Sequence, residues 1–133
     1  METVRGIIKN ADYFSQPVLF HGLRFGRITP TDIDGVIDFK NKLFIFIETK
    51  HGINTELQTG QRLALERIAS AIQSDTKEAI VFFTWHDFTG EIDLANTIIS
   101  KYYYRNKWHY PKLNNIKLID AINGMLIKLN III

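Results

Sequence analysis

Residues 33–50 decide the fold, and they read IDGVIDFKNKLFIFIETK. Two runs rich in β-branched and aromatic residues, from Ile33 to Phe39 and from Leu43 to Thr49, flank the polar triplet Lys40-Asn41-Lys42. Runs of this kind on both sides of a short polar turn are typical of a β-hairpin. The stretch therefore predicts two antiparallel strands.

The length of the turn sets which residues of the hairpin lie opposite each other, because opposed residues of an antiparallel pair have a constant index sum. A two-residue turn at Asn41-Lys42 gives a sum of 83 and places Asp34 opposite Thr49. A three-residue turn at Lys40-Asn41-Lys42 gives 82 and places Asp34 opposite Glu48. We expect the second register.

Further elements follow from periodicity. Helical spacing of apolar residues predicts helices over Glu2 to Phe14, Thr59 to Gln73 and Asn115 to Leu129. The apolar run from Ala79 to Trp85 predicts a strand buried on both faces, and the preceding helix makes a parallel crossover from the hairpin the expected connection. The glycine-punctuated stretch from Pro17 to Ile28 predicts a loop and a short strand.

The segment from Ile92 to Tyr104 fits a helix by spacing and a strand by composition, and the sequence leaves this open. The element order nevertheless predicts an α/β layer with a mixed sheet. We find no internal repeat or linker, so residues 1–133 are expected to form a single domain.

Composition excludes several classes of protein. The chain has 133 residues, of which 46% are hydrophobic and 23% charged, as expected of a folded domain. Its apolar runs are far shorter than the roughly 18 residues of a membrane helix, so we expect no membrane association and a cytoplasmic location. The absence of cysteine excludes disulfides, thiolate nucleophiles and iron–sulfur clusters.

Three polar residues, Asp34, Glu48 and Lys50, stand where the apolar pattern does not favour them. Glu48 ends a strongly apolar strand, and Lys50 follows at i+2, so both side chains leave by the same face. In the expected register Asp34 lies beside Glu48. Two neighbouring carboxylates repel unless a cation or proton lies between them, and such hard oxygen ligands suit Mg²⁺ or Mn²⁺.

The motifs Thr31-Asp32-Ile33-Asp34-Gly35, Phe46-Ile47-Glu48-Thr49-Lys50 and Thr59-Gly60-Gln61 together resemble the PD-(D/E)XK nuclease superfamily. The resemblance covers about residues 29 to 85. The tail from Ile92 to Trp108 is similar to small stand-alone phage members. The resemblance implies a restriction-endonuclease-like αβββαβ core, in which helices flank a mixed central sheet.

The resemblance also implies roles for individual residues. Asp34, Glu48 and the carbonyl of Thr49 would ligate the metal. Lys50 would orient and activate the attacking water and stabilise charge that develops on the phosphate. Gln61 would be an accessory polar group at the start of a helix. The chemistry agrees, since a metal ion polarises the phosphoryl oxygen and supplies hydroxide near neutral pH.

The sequence departs from the superfamily pattern at one point. Many members add an acidic residue from the first helix, where Glu2 and Asp12 are the candidates. Asp32 is an alternative, although it could equally cap the turn after Pro30. The number of metal ions is therefore left open.

A basic and aromatic segment follows the core motifs. Between Lys101 and Ile119 there are five basic residues and no acidic one, and aromatic residues lie among them. Surfaces that stack bases and hold phosphates have this composition. The alternative is a hairpin with one aromatic face buried and its basic face solvated. The candidate nucleic-acid-binding residues are Lys101, Arg105, Lys107, Trp108 and His86.

These observations predict a Mg²⁺- or Mn²⁺-dependent endonuclease that hydrolyses DNA phosphodiester bonds. A chain this small has little room for a domain that recognises a DNA sequence, and we therefore expect structure-specific or weakly sequence-specific cleavage. Cleavage of both DNA strands would favour a homodimer. The first alternative is a non-catalytic DNA- or protein-binding module of the same fold, such as a phage accessory protein. The second is a structural or host-interaction protein.

Overall fold

The computed structural model describes residues 17–133 and the backbone of two short strands before them. The chain divides into two units, Met1–Pro30 and Thr31–Ile133. In the first unit, β1 (Thr3–Val4) pairs antiparallel with β2 (Ile7–Ile8). The single domain predicted over residues 1–133 stays a prediction.

The helix predicted over Glu2–Phe14 is wrong at the positions that the structure describes, because Thr3–Val4 and Ile7–Ile8 are extended. The residues of both strands are β-branched, and such side chains favour extended backbone over helix. The remainder of that segment lies outside the described residues. The strand expected within Pro17–Ile28 is reduced to one bridge, in which Phe25 and Ile28 exchange two backbone hydrogen bonds.

The second unit is an α/β structure built on one five-stranded mixed sheet. The strands lie in the order β3-β4-β5-β6-β7, with β4 and β5 parallel and the other neighbours antiparallel. This confirms the predicted α/β class and the mixed sheet. The bounds of its strands and helices are β3 Gly35–Phe39, β4 Leu43–His51, α1 Thr59–Ile72, β5 Glu78–His86, β6 Ile98–Tyr104, β7 Lys107–His109 and α2 Leu118–Lys128.

The hairpin β3–β4 has the register expected of the three-residue turn. Gly35 is paired with Ile47 and Phe39 with Leu43, which is the predicted sum of 82. The chain reverses because Lys40 and Asn41 adopt left-handed backbone with φ of 55° and 62°. The paired register ends at Gly35 and Ile47, and the N–H of Asp34, the preceding residue, donates to the carbonyl of Ile47 rather than to that of Glu48.

The sheet carries one helix on each face, and we name the faces after the helices. The α1 face contains Phe46 and Val81 of the sheet, packed with Leu65 and Ala69 of α1. The α2 face contains the alternate residues of the same strands, packed with α2; they include Ile45, Ile47, Ile80 and Phe82, which contact Leu118, Ile122 and Met125. The predicted crossover helix and the buried parallel strand are both confirmed.

The segment that the sequence left open contains a short 3₁₀ helix, Leu94–Asn96, followed by β6. Strand β6 turns through Arg105 and Asn106, with φ of 50° and 64°, into β7. The first part of the basic and aromatic segment is thus a hairpin, but its tyrosines are buried on both faces, Tyr103 on the α1 face and Tyr104 on the α2 face, whereas the alternative interpretation had one aromatic face buried. Neither α1 nor α2 is long and apolar enough to cross a membrane, and the same holds for every helix in the described part of the chain.

Candidate active site

The predicted acidic pair, Asp34 and Glu48, lies at the open end of the hairpin β3–β4, opposite the turn. Asp34 precedes β3, and its N–H donates to the carbonyl of Ile47 at 3.1 Å. Its Oδ2 accepts a hydrogen bond from the N–H of Thr49 at 2.8 Å. The negative charge of Asp34 lies close enough to the Glu48 carboxyl to raise the pKa of that group.

Glu48 is buried, with 4% of its surface exposed, because β4 lies between β3 and β5 and Glu48 is in register with Phe83. Lys50 lies two residues further along the same face, and its Nζ is 3.3 Å from Glu48 Oε1. The other oxygen, Oε2, is buried and finds no hydrogen-bond partner among the described residues. One carboxylate oxygen of the site therefore lacks a compensating contact.

The pKa of Glu48 is shifted by its burial and by the charged and polar groups around it. Burial raises the pKa of the Glu48 carboxyl above 4.5, and the negative charge of Asp34 raises this pKa further. The Gln61 amide and the Lys50 ammonium act in the opposite direction, although they do not offset the rise. The ionised pair would thus be stabilised by additional positive charge.

Gln61 connects the start of α1 to this pair, as the sequence predicts. It lies in the first turn of the helix, and its Nε2 donates to the carbonyl of Asp32 at 3.3 Å. The Gln61 amide also lowers the pKa of Glu48, against the effect of burial. The N-terminal end of α1 is therefore held to the loop before β3 at the acidic pair.

The donor set fits a hard divalent cation on chemical grounds. The side chains of Asp34 and Glu48 offer carboxylate oxygens, one of which is buried and unpartnered. No group of three or more His, Asp and Glu side chains with metal-site geometry occurs in the part of the chain that the structure describes. Two carboxylates completed by a backbone carbonyl and water suit Mg²⁺ or Mn²⁺.

The three candidates for a further acidic ligand differ in what the structure says of them. Glu2 and Asp12 lie outside the described residues. The side chain of Asp32 is exposed, and its backbone carbonyl is taken up by Gln61. The number of metal ions therefore stays open.

Lys101 and Trp108 are the candidate nucleic-acid-binding residues that lie on the face of the acidic pair. Lys101 of β6 is in register with Phe83, which is in register with Glu48. The Nζ of Lys101 lies 4.5 Å from the centroid of the Trp108 ring. A cation two strands away from Glu48 and a large aromatic ring three strands away thus lie on the α1 face.

The other three candidates are not brought to the acidic pair. Arg105 lies in the β6–β7 turn, where its Nη2 contacts Glu78 Oε1 at 2.7 Å, and Lys107 is exposed at the start of β7. His86 is buried and lies on the α2 face, because it alternates with Trp85. Its Nδ1 accepts a hydrogen bond from the N–H of Phe88 at 3.2 Å.

One polar network on the α1 face was not predicted. Glu66 Oε2 accepts hydrogen bonds from Arg62 Nη1 at 2.6 Å and from Trp108 Nε1 at 2.7 Å. Burial raises the pKa of Glu66, but these two donors outweigh it, and the pKa is lowered overall. The i,i+4 spacing of Arg62 and Glu66 was visible in the sequence. The contact with Trp108 joins residues 42 apart and was not.

Comparison of the chain with protein-family models, with curated proteins and with solved structures gave no match. The geometry of the site therefore carries the functional argument.

Proposed function

We propose that this protein is a divalent-metal-dependent endonuclease that hydrolyses DNA phosphodiester bonds. The observation that carries the proposal is the acidic pair Asp34–Glu48 with Lys50 beside it and one buried, unpartnered Glu48 oxygen. Two repelling carboxylates that Lys50 neutralises only in part are stabilised further when a divalent cation lies between them.

The proposal includes membership of the PD-(D/E)XK superfamily. The order β3–β4–α1–β5, with an antiparallel hairpin and a parallel crossover, agrees with the last four elements of an αβββαβ core. The described residues before β3 contain the short strands β1 and β2 and no helix, so the agreement is with these four elements alone. Asp34, Glu48 and Lys50 then occupy the positions at which the superfamily carries its motif.

Each residue of the site has a distinct part in the proposed reaction. Asp34, Glu48 and the carbonyl of Thr49 would hold Mg²⁺ or Mn²⁺, which when bound supplies Lewis-acid stabilisation of the phosphate. Lys50 orients the attacking water and stabilises negative charge that develops on the phosphoryl oxygens. Gln61 keeps the Glu48 carboxylate in place.

The DNA backbone would lie along the α1 face. The ammonium groups of Lys50 and Lys101 are both on this face, and Trp108 offers a ring for stacking. A chain of 133 residues has little room for a separate sequence-reading element, which favours structure-specific or weakly sequence-specific cleavage. A homodimer would contain two such sites, one for each strand of a DNA duplex.

The test measures cleavage of supercoiled plasmid, branched DNA and single-stranded DNA with Mg²⁺, with Mn²⁺ and with a chelator. We expect metal-dependent cleavage that falls by about 100-fold or more in Glu48→Ala and Lys50→Ala, because both remove groups that act on the transition state. Melting temperatures of the variants establish that they are folded.

Lys77→Ala is the matched control, because Asp75-Thr76-Lys77 is also an acid-x-Lys triplet but lies between α1 and β5. It should cleave as the wild type does. Absence of cleavage of every substrate, or unchanged cleavage by Glu48→Ala, would contradict the proposal.

A non-catalytic DNA-binding module is the second candidate. It is favoured by the 3.3 Å contact of Lys50 with Glu48, which partly neutralises the carboxylate without a metal. Such a module would bind DNA with a steep salt dependence and cleave none of the substrates. In that case Lys101→Ala should weaken binding, whereas Glu48→Ala should not.

A further inference from the structure

A large cavity lies on the α2 face of the sheet, away from the acidic pair. It has a volume of about 740 Å³ and opens between the β6–β7 hairpin, the loop that follows it and α2. Asp34, Glu48 and Lys50 do not line it. Its volume falls within the range of roughly 300–1,000 Å³ that is typical of small-molecule sites.

The sheet side of the cavity is a row of three aromatic rings on neighbouring strands. Phe82 of β5 is in register with Tyr102 of β6, which is in register with His109 of β7. The rings of Tyr102 and His109 are stacked, with centroids 5.0 Å apart and planes 14° from parallel. Tyr102 and His109 cover one face of each other, so a flat π system in the cavity would contact the outward faces and the edges of these rings.

The helix side of the cavity contains Gly124 in the interior of α2. A glycine in a helix interior costs about 1 kcal/mol relative to alanine. A Cβ atom at this position would meet no atom within 4 Å, so close packing does not require the glycine. The missing side chain instead leaves room within the cavity.

The mouth of the cavity is positively charged. Lys107, Lys112 and Lys128 line it, and Asp120 is the one acidic residue among the lining positions. All four side chains are exposed, so the lysines can move to a ligand without leaving a buried partner. Anionic ligands are attracted to such an opening.

We propose that this cavity binds a nucleotide, with the base on the aromatic row and the phosphate at the lysines. The site is separate from the proposed hydrolytic centre, and the inference goes beyond the proposed function. Such a nucleotide is either a free mononucleotide or an unpaired nucleotide within a DNA strand, and the experiment distinguishes the two.

The experiment titrates the full-length protein in chelator with adenosine monophosphate, with deoxyadenosine monophosphate and with a short oligodeoxyadenosine strand. Binding is followed by amide chemical shifts, which should change at Tyr102, His109 and Gly124. Similar affinity for the mononucleotides and the strand identifies a free nucleotide as the ligand. Much tighter binding of the strand identifies a nucleotide within a chain.

Gly124→Leu should fill the cavity and weaken binding by about tenfold or more, which corresponds to about 1.4 kcal/mol. Gly124→Ala should raise the melting temperature and retain binding, because a methyl group leaves most of the space open. Asn123→Leu is the matched control, since it adds the same side chain at the neighbouring helix position, which does not line the cavity.

Charge-reversal variants test whether the lysines that line the cavity bind the ligand, as distinct from a general attraction of anions to the basic protein. The double substitution Lys112→Glu with Lys128→Glu should weaken binding of every probe by about tenfold or more, whereas Lys117→Glu, outside the cavity, should not. Glu48→Ala should retain nucleotide binding whether or not the wild type hydrolyses DNA. Absence of binding by the wild type, or full binding by Gly124→Leu, would overturn the inference.

Discussion

Glu48 is a side chain whose ionised form is unfavourable in the folded protein. A buried carboxylate loses the hydration that it has in the unfolded chain, and here it also lies beside Asp34. The attraction of Lys50, whose side chain is 30% exposed, does not offset both effects. The ionised form of Glu48 therefore destabilises the metal-free fold.

We expect ionisation of Glu48 to lower the stability of the metal-free protein as the pH rises. Because the pKa of Glu48 is raised in the folded state above 4.5, its protonated form is favoured on folding. Its contribution to the free energy of unfolding is therefore fully present below pH 4.5 and is lost as pH rises through the raised pKa. In chelator, Glu48→Gln should melt at a higher temperature than the wild type near neutral pH.

Thermal melts of both proteins from acidic to neutral pH provide the measurement. The exposed Glu56→Gln is the control and should follow the wild type at every pH. Parallel curves for the wild type and Glu48→Gln would show that Glu48 carries no such penalty.

Trp108 is a second residue whose polar contact should be measurable. Trp108→Phe keeps most of the ring but removes the Nε1–H that donates to Glu66. We expect a loss of about 1–2 kcal/mol in the free energy of unfolding, because a hydrogen bond to a charged group and a cation–π contact are both weakened.

Denaturant unfolding measures this change. Trp85→Phe is the matched control, since its indole N–H makes no hydrogen bond within the described residues. Equal losses in the two variants would indicate that ring volume, rather than the contact with Glu66, is responsible.

At the scale of elements, the hairpin β3–β4 was predictable because its turn length and its strand composition agree. The index sum of 82 predicts the observed pairing of β3 with β4, and Asp34 lies one residue beyond the last pair. By contrast, the helix predicted at the N-terminus relied on spacing alone and overlooked the β-branched residues of β1 and β2. The β-branched residues at these positions favour a strand over a helix.

The position of His86 was also within reach of the sequence. In a strand, neighbouring side chains leave by opposite faces, so His86 and Trp85 cannot both face the acidic pair. The contact of Trp108 with Glu66, and the register between β6 and β5, could not be predicted. They depend on tertiary packing between segments that share no local pattern.

The turn of this hairpin offers a prediction of its own. Lys40 has a φ of 55°, which costs an L-residue about 1–2 kcal/mol, whereas glycine adopts it freely at some cost in unfolded-state entropy. Lys40→Gly should therefore stabilise the fold by about 0.5–1 kcal/mol. The gain should appear as a rise of a few degrees in melting temperature.

Lys42→Gly is the control, because Lys42 belongs to the same turn but lies outside the left-handed region. It should be neutral or destabilising. A gain of the same size from both substitutions would mean that the backbone angle of Lys40 is not the cause.

At the scale of the whole molecule, the sheet separates two kinds of chemistry. The α1 face carries the acidic pair with Lys50 and Lys101, and the α2 face carries the aromatic cavity. The central strands β4 and β5 contribute to both faces and are the most deeply buried part of the fold. A ligand on either face would thus stabilise the same core.

Metal binding should accordingly raise the stability of the whole domain. A cation that binds only the folded state adds about 2.7 kcal/mol when its free concentration reaches about 100 times its Kd. We expect the melting temperature of the wild type to rise with Mg²⁺ or Mn²⁺ concentration near neutral pH. Asp34→Asn and Glu48→Gln should remove most of this rise.

Asp75→Asn is the control and should preserve the rise, because Asp75 is an exposed carboxylate between α1 and β5, at the other end of β5 from the strand positions beside Glu48 and Lys50. A metal-induced shift that persists in both Asp34→Asn and Glu48→Gln would locate the cation elsewhere.

The hydrogen bond from the Thr49 amide to Asp34 has a practical consequence. At this position a carboxylate takes the place of a carbonyl from the neighbouring strand, so the proton of one amide senses the electron density of an acidic group. Its resonance frequency and its rate of exchange with deuterated solvent would both respond when Asp34 is drawn toward a cation. The chain thereby contains its own spectroscopic reporter, and a metal titration can be followed there without any added label on the acidic residues.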